Sequence, residues 1–229
     1  MNRYQSQVHS FPSLGINLRG TPCENNTMMR FFDFLFPPRV DEAILRDVSL
    51  DDFFALLTPH LVLTTRPETT FLLPFHDPRV RAAIHEAKYH GSSHAFQLLS
   101  STLTEYLRDA DEGFRKPIIV PVSLGTKRLK ERGFNQIEEI VKRAGKELDI
   151  TIDTTLLIRA RETTSQVSLP REKREENMQG AFQAARPADP AHTYIVIDDV
   201  ITTGATLQAA IHALTEAGAT HIIPLTLAH

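Results

Sequence analysis

The apolar positions of this chain change rhythm once. In the first half they recur at helical spacing, and in the second they gather into short runs between helical stretches. Met1–Asn26 is polar and rich in Ser, Asn, Gly and Pro, which reads as a mobile tail. Thr27–Pro59 reads as helical in two pieces divided by Pro37-Pro38. The first piece, Met28–Phe36, is apolar. The second carries Leu50, Phe53, Phe54, Leu56 and Leu57, and Ser49 followed by Asp51 and Asp52 suits its start. From Asp77 to about Leu107 a stripe of Val80, Ala83, Ile84, Ala87, Phe96, Leu99, Leu103 and Leu107 predicts further helix, interrupted at Gly91.

Pro117–Ser123 is then a nearly continuous apolar run, as expected of a buried parallel strand. A helix over Lys127–Leu148 follows, then a strand over Thr155–Ile158 and a polar stretch, Arg159–Gly180, without periodicity. A strand over Thr193–Asp198, a helix over Ala205–Ala217 and a strand over Thr220–Leu227 complete the pattern. Strands alternating with helices predict an α/β fold with a doubly wound, mainly parallel sheet flanked by helices. The expected organisation is a tail at 1–26, a small helical N-terminal region at 27–75 and the α/β domain at 76–229.

Composition narrows the function classes. The 229 residues carry a formal net charge of -3, which argues against wholesale electrostatic binding to nucleic acid. Trp is absent and only one basic loop is visible, so a single-stranded DNA platform is disfavoured as well. Cys23, the only cysteine, excludes an intramolecular disulfide and a cysteine-cluster zinc site. The histidines lack ligand spacing, so no metal is expected directly on cysteine or histidine. Phe31–Phe36 is too short to span a membrane, and no secretion signal is evident, so a cytoplasmic location is expected.

In such sheets ligands bind beyond the carboxyl ends of the strands. Tyr194–Thr206 reads Y-I-V-I-D-D-V-I-T-T-G-A-T: a buried strand stopping at Asp198 and Asp199, then a Thr/Gly turn opening a helix. Gly204 lets backbone approach an anion, and amides at a helix N-terminus bind phosphate. Thr202, Thr203 and Thr206 add hydroxyl donors around Ala205. The carboxylates can accept from two ribose hydroxyls, so a ribose 5-phosphate fits the segment. The competing reading is a structural strand–turn–helix with a capping Thr and a solvated acid pair. Near the other strand end, Lys127, Arg128, Lys130 and Arg132 crowd the start of a helix, against its dipole. A bound pyrophosphate would compensate that charge; a solvated basic face is the alternative.

The acid pair and loop resemble the phosphoribosyl-pyrophosphate (PRPP) signature of type I phosphoribosyltransferases. Arg132-Gly133-Phe134-Asn135-Gln136 resembles the R-G-F-N-Q element of the ComF family. The stretch Arg159–Phe182 resembles that family's R-x-x-x-T-x-x-Q and N-x-x-G-A-F pattern, here Arg159, Thr163 or Thr164, Gln166, Leu169, Arg174, Asn177, Gly180 and Phe182. The resemblance implies that Asp198 and Asp199 hold the ribose hydroxyls, with Asp199 a candidate general base. It gives Thr202, Thr203, Gly204, Ala205 and Thr206 to the 5-phosphate and Lys127, Arg128 and Arg132 to pyrophosphate. Arg159, Thr164, Gln166, Arg174 and Asn177 would belong to a flexible loop closing over PRPP, with Mg²⁺ as cofactor. Ala87–Gly91 resembles a further element of the family, in which Tyr89 is expected to pack and Lys88 to be structural, supplementary anion binding by Lys88 being the alternative. Leu35–Arg39 matches the phrase that precedes a zinc ribbon in many ComF-like proteins, but Val40 follows and the ribbon's cysteines are missing.

The implied activity is transfer of phosphoribosyl from PRPP to an unknown acceptor with release of pyrophosphate. The alternative is a non-catalytic PRPP- or nucleotide-binding accessory protein linked to DNA uptake, working with a protein partner of the competence machinery. A homodimer is in keeping with the family.

Overall fold

The computed structural model describes residues 39–110, 114–161 and 171–229, with no side chains for 171, 172, 174 and 175. Arg39–His229 is one compact unit. The expected tail and first helical piece lie outside the described residues, as do Thr164 and Gln166.

The unit opens with α1 (Val40–Leu45) and α2 (Leu50–Phe54). Ser49 caps α2 reciprocally: its hydroxyl accepts from the Asp52 N–H, and the Asp52 carboxylate accepts from the Ser49 N–H. Strands β1 (His60–Val62) and β2 (Thr69–Leu73) follow and pair antiparallel. Helix α3 (Pro78–His90) starts on Asp77, whose carboxylate accepts from the Arg79 N–H, with Pro78 at its first position. It ends at Gly91 in the left-handed region, and α4 (Ser93–Ala110) begins two residues later. Then come β3 (Pro117–Pro121), α5 (Thr126–Arg132), α6 (Gln136–Leu148), β4 (Thr151–Ile152) and β5 (Leu157–Arg159). The chain finishes with α7 (Arg171–Met178), β6 (Phe182–Ala184), β7 (Thr193–Val200), α8 (Ala205–Glu216) and β8 (His221–Ala228).

Six strands form one sheet in the order β1-β2-β8-β7-β3-β4, parallel throughout except β1 against β2. Strand β7 is central, and its alternate side chains enter two cores. Ile195 and Ile197 join Ile119, Leu225 and Leu227 on the face covered by α3, α4 and α6. Tyr194 and Val196 join Val120 and Val122 on the face covered by α8. Burial on both faces is why these strands read as continuous apolar runs rather than alternating ones.

The doubly wound, mainly parallel sheet is as expected, and several details differ. The region read as helical up to residue 75 contains β1 and β2, and β2 pairs parallel with β8 inside the main sheet. Thr69–Leu73 sits behind Pro67 and was too short a run to separate from its surroundings. The single helix expected over Lys127–Leu148 is two helices, because Gly133 turns left-handed (φ 80°) and Asn135 caps a new start. The strand expected at Thr155–Ile158 is β5, outside the main sheet, where it pairs antiparallel with β6. The polar stretch after it contains α7. No helix among the described residues is long and apolar enough to cross a membrane.

Candidate functional site

Strand β7 runs on to Val200, which is in register with Ala228, so Asp198 and Asp199 lie within the paired strand rather than after it. Consecutive strand residues point to opposite faces. The two carboxylates are nevertheless tied locally: the Asp199 N–H donates to Asp198 Oδ1 at 2.8 Å, and the Val200 N–H donates to Asp199 Oδ1 at 2.8 Å. Asp199 Oδ2 takes two further donors, Lys88 Nζ at 3.0 Å and Gln136 Nε2 at 2.8 Å. The consequences for protonation are opposite. Burial and the adjacent Asp199 charge push the Asp198 carboxyl up to about 7. Burial acts the same way on Asp199, but the Lys88 ammonium and the hydrogen bonds from Lys88, Val200 and Gln136 hold it below the usual carboxylate range.

Beyond Ile201 the chain turns through Thr202 and Thr203 into α8, with Gly204 as its N-cap at φ 79°. A Cβ there would come within 2.8 Å of Thr64 Oγ1 and 3.0 Å of the Thr64 carbonyl oxygen. Both conformation and space therefore require glycine. A small hollow inside the turn is lined by Thr202, Gly204, Ala205 and Thr206 together with Asp198. The amides of the α8 N-terminus make this turn suited to an anion.

Asp198, Asp199, Thr202 and Thr206 also line a cavity of about 390 Å³. Arg128, Arg132 and Arg159 line it from the other side, with Lys88, Tyr89 and Gln136. The α5–α6 break builds that wall. Asn135 accepts from the Ile137 N–H and donates to the Val122 carbonyl at 3.0 Å, fixing the start of α6 to the end of β3. Gln136, the next residue, thereby reaches Asp199. Arg132 Nη1 donates to Gln136 Oε1 at 3.1 Å, and its guanidinium lies 5.2 Å from the centre of the Tyr89 ring. Arg159 stacks on Phe182 at 5.1 Å, across the β5–β6 ribbon.

The structure thus brings together most, not all, of the residues singled out from the sequence. Thr203 is buried and does not line this cavity; its hydroxyl faces the Ala205 N–H at 3.4 Å. Lys127 is exposed and lies outside the cavity lining. Asn177 is also outside it, its carbonyl accepting from Arg161 at 3.0 Å. Thr164 and Gln166 fall outside the described residues, and the Arg174 side chain does too. Tyr89, expected to pack, is 54% exposed at the cavity rim. Lys88, read as structural, is bonded to the acid pair. Gln136 belongs to the R-G-F-N-Q element, and its place in the site is a finding of the structure; a polar side chain directly behind a helix cap is the signal for it in the sequence. A larger cavity of about 830 Å³ lies on the opposite side of the turn, against Arg66, Phe182 and α8. It contains neither carboxylate of the pair nor the basic wall, so the chemistry points to the smaller one.

A parallel sheet whose central strand carries an acid pair near its end, followed by a glycine-pivoted turn into a helix and faced by arginines beyond the neighbouring strand, has the features expected of a phosphoribosyltransferase-type domain. Residues 133–229 match the family model for the phosphoribosyl transferase domain. Among curated proteins, the DNA utilization protein YhgH of Escherichia coli K12 is 30% identical over 145 residues, covering 62% of this chain and 63% of that protein. YhgH of Salmonella typhi is 28% identical over the same length and shares. The chain thus spans somewhat under two thirds of these relatives. An adenine phosphoribosyltransferase from Leishmania tarentolae aligns at 15% identity and a TM-score of 0.38, covering 69% of this chain and 76% of that one. A hypoxanthine phosphoribosyltransferase from Staphylococcus aureus aligns at 15% identity and a TM-score of 0.33, covering 57% and 61%. The similarity to the phosphoribosyl transferase domain thus covers residues 133–229, the stretch that carries the acid pair and the glycine turn, and the similarity to the YhgH proteins covers 145 residues.

Proposed function

We propose that this protein binds PRPP at the cavity between β7 and α5–α6 and transfers its phosphoribosyl group to an acceptor, releasing pyrophosphate. One observation carries the reading: an acid pair, a helix N-terminus shaped for an anion, and three arginines line one cavity of about 390 Å³. In this reading the α8 turn takes the 5-phosphate through backbone amides and the Thr202 and Thr206 hydroxyls. Asp198 and Asp199 accept from the ribose hydroxyls. Arg128 and Arg132 hold the pyrophosphate and offset its charge as it leaves. Arg159, which lines the same cavity, helps to cover the reacting carbon against water. The protein contributes positioning and fixed charge rather than a covalent nucleophile.

Mg²⁺ fits this set as a cation that arrives with the ligand. No group of three or more His, Cys, Asp or Glu among the described residues could cage a metal. Magnesium is ordinarily held by one or two carboxylates plus substrate phosphates. When bound with PRPP it would neutralise the pyrophosphate oxygens beside the acid pair. If a carboxylate of the pair acts as general base, Asp198 is better suited than Asp199. It titrates near neutral pH, whereas Asp199 is held ionised by three donors. The reading therefore assigns the base to Asp198, where the sequence resemblance offered Asp199 as a candidate.

A second reading has its own support, because the similar proteins are named for DNA utilization. In it the same site senses PRPP or a nucleotide without turnover and acts through a protein partner in DNA uptake. Both readings place the protein in the cytoplasm. Calorimetric titration of PRPP with and without Mg²⁺, on wild type and the double variant Asp198→Asn/Asp199→Asn, tests the shared part. Magnesium-dependent binding that the double variant loses is the expected result. Absence of binding to wild type under both conditions overturns the reading. Pyrophosphate release in an acceptor screen then separates the enzyme from the sensor.

A further inference from the structure

Helix α3 lies outside the acid pair, the phosphate turn and the basic loop, yet two adjacent residues of it close a ring around the site. Lys88 Nζ is 3.0 Å from Asp199 Oδ2. Asp199 Oδ2 also accepts from Gln136 Nε2 at 2.8 Å, and Gln136 Oε1 accepts from Arg132 Nη1 at 3.1 Å. Arg132 lies over the ring of Tyr89, the neighbour of Lys88. The ring therefore joins the carboxylate that faces the ribose position to the guanidinium that faces the pyrophosphate position, with both ends returning to α3.

Asp199 is nearly saturated in this arrangement. A carboxylate offers about four acceptor sites. Lys88, Gln136 and the Val200 N–H fill three of them. The donors differ in what holds them. Val200 is backbone inside a paired strand. Gln136 is the first residue of α6, with its oxygen engaged by Arg132. Lys88 is the end of a flexible four-carbon stem, its side chain 25% exposed, in a cavity that also holds Arg128 and Arg132. An ammonium is a point charge with three donors and serves phosphate as readily as carboxylate.

We propose that Lys88 is an exchangeable counter-ion of this site: it neutralises Asp199 in the free protein and passes to the pyrophosphate group of the ligand when a ribose hydroxyl takes the carboxylate. Tyr89 sets the distance of that exchange by fixing the Arg132 head beside it. Lys88 is thus a positioning residue for the carboxylate and a binding residue for pyrophosphate. The inference rests on the PRPP reading above and adds a residue from a different wall of the cavity.

The test is calorimetric titration of three ligands at one Mg²⁺ concentration: PRPP, inorganic pyrophosphate and ribose 5-phosphate. Lys88→Met, Lys88→Gln and Lys88→Arg are compared with wild type. The two neutral variants are expected to lose about tenfold or more in affinity for PRPP and pyrophosphate, the size of one charge-assisted bond. Their affinity for ribose 5-phosphate is expected to hold or rise, because Asp199 has lost a competing partner. Lys88→Arg is expected to keep most of the pyrophosphate affinity. A parallel loss for all three ligands would mean that Lys88 only maintains the structure, and no loss for any would mean that it takes no part. Either result overturns the exchange while PRPP binding by wild type stands. Wild type that binds none of the three overturns the PRPP reading and this inference together.

Discussion

Adjacent carboxylates in a partly buried site cannot both stay ionised without strain, and here the surroundings divide them. Asp199 accepts three hydrogen bonds, one of them from the Lys88 ammonium, while Asp198 has one backbone donor. With its folded value raised to about 7, Asp198 keeps a proton that the unfolded chain loses near pH 4. The folded state thus binds more protons over that window, and stability falls as pH rises from about 4 to about 7. Asp199 moves the other way: its contribution is present above the unfolded value and is lost only on further acidification. Of the pair, Asp198 is the member whose effect operates between pH 5 and pH 8, that of Asp199 being complete above its unfolded value. Denaturant unfolding at those two pH values should find wild type less stable at pH 8, with the gap narrowed in Asp198→Asn. A gap of equal size in the variant would assign the pH dependence elsewhere. At Gly204, alanine would meet both a left-handed backbone and the Thr64 backbone oxygen. Gly204→Ala should cost about 1–3 kcal/mol in unfolding free energy and weaken PRPP binding.

At the scale of elements, the site depends on where α5 stops and α6 begins. Had the two formed one continuous helix, Gln136 would follow Arg132 on the same rod and the cap that anchors α6 to β3 would be missing. Gly133 supplies the left-handed exit and Asn135 the new N-cap. Asn135 is buried, and its amide also serves the Val122 carbonyl. Asn135→Ala should lose about 1–2 kcal/mol, seen as a lower urea midpoint at unchanged slope. Because Gln136 sits directly behind that cap, PRPP affinity should fall in the same variant. Full stability and full affinity together would show that the cap does not position the wall.

For the compact unit Arg39–His229, the described segment before β1, residues 39–59, is part of the core rather than an appendage. Phe53 of α2 is fully buried in the cluster that contains Leu98, Leu99, Ile195 and Leu225. Phe53→Ala should therefore destabilise by about 3–5 kcal/mol, with loss of the whole transition rather than of a separate one. A biphasic melt with an unchanged main transition would mean that α2 unfolds by itself. Arg39 acts at the same junction, with a two-pronged ion pair to Glu86 at 2.8 and 3.0 Å. Glu86 is 2% exposed and lies within one turn of Lys88 and Tyr89 on the same helix. The residue that ends the Leu35–Arg39 phrase thus bears on the helix that forms one wall of the candidate site.

Sequence alone determined the alternation of strands and helices, the central strand at Tyr194–Asp198, the turn at Thr202–Gly204 and the helix behind it. These are local properties: an apolar run, a left-handed glycine and a helix start are each set within a few residues. The R-G-F-N-Q element also marked the basic wall, although its Gly and Asn were read as helix interior instead of a stop and a cap. Tertiary structure decided the rest. The strand Thr69–Leu73 became part of the sheet only because β8 offered an edge, a partner more than 150 residues away in the chain. Thr203 turned inward and Lys127 outward because burial against neighbours, not residue type, sets direction within a turn or on a short helix. Lys88 acquired its role through a carboxylate on β7 that sequence spacing does not bring near it. Electrostatic partners are chosen by proximity in three dimensions, so the division of labour between Asp198 and Asp199 was invisible until the chain had folded.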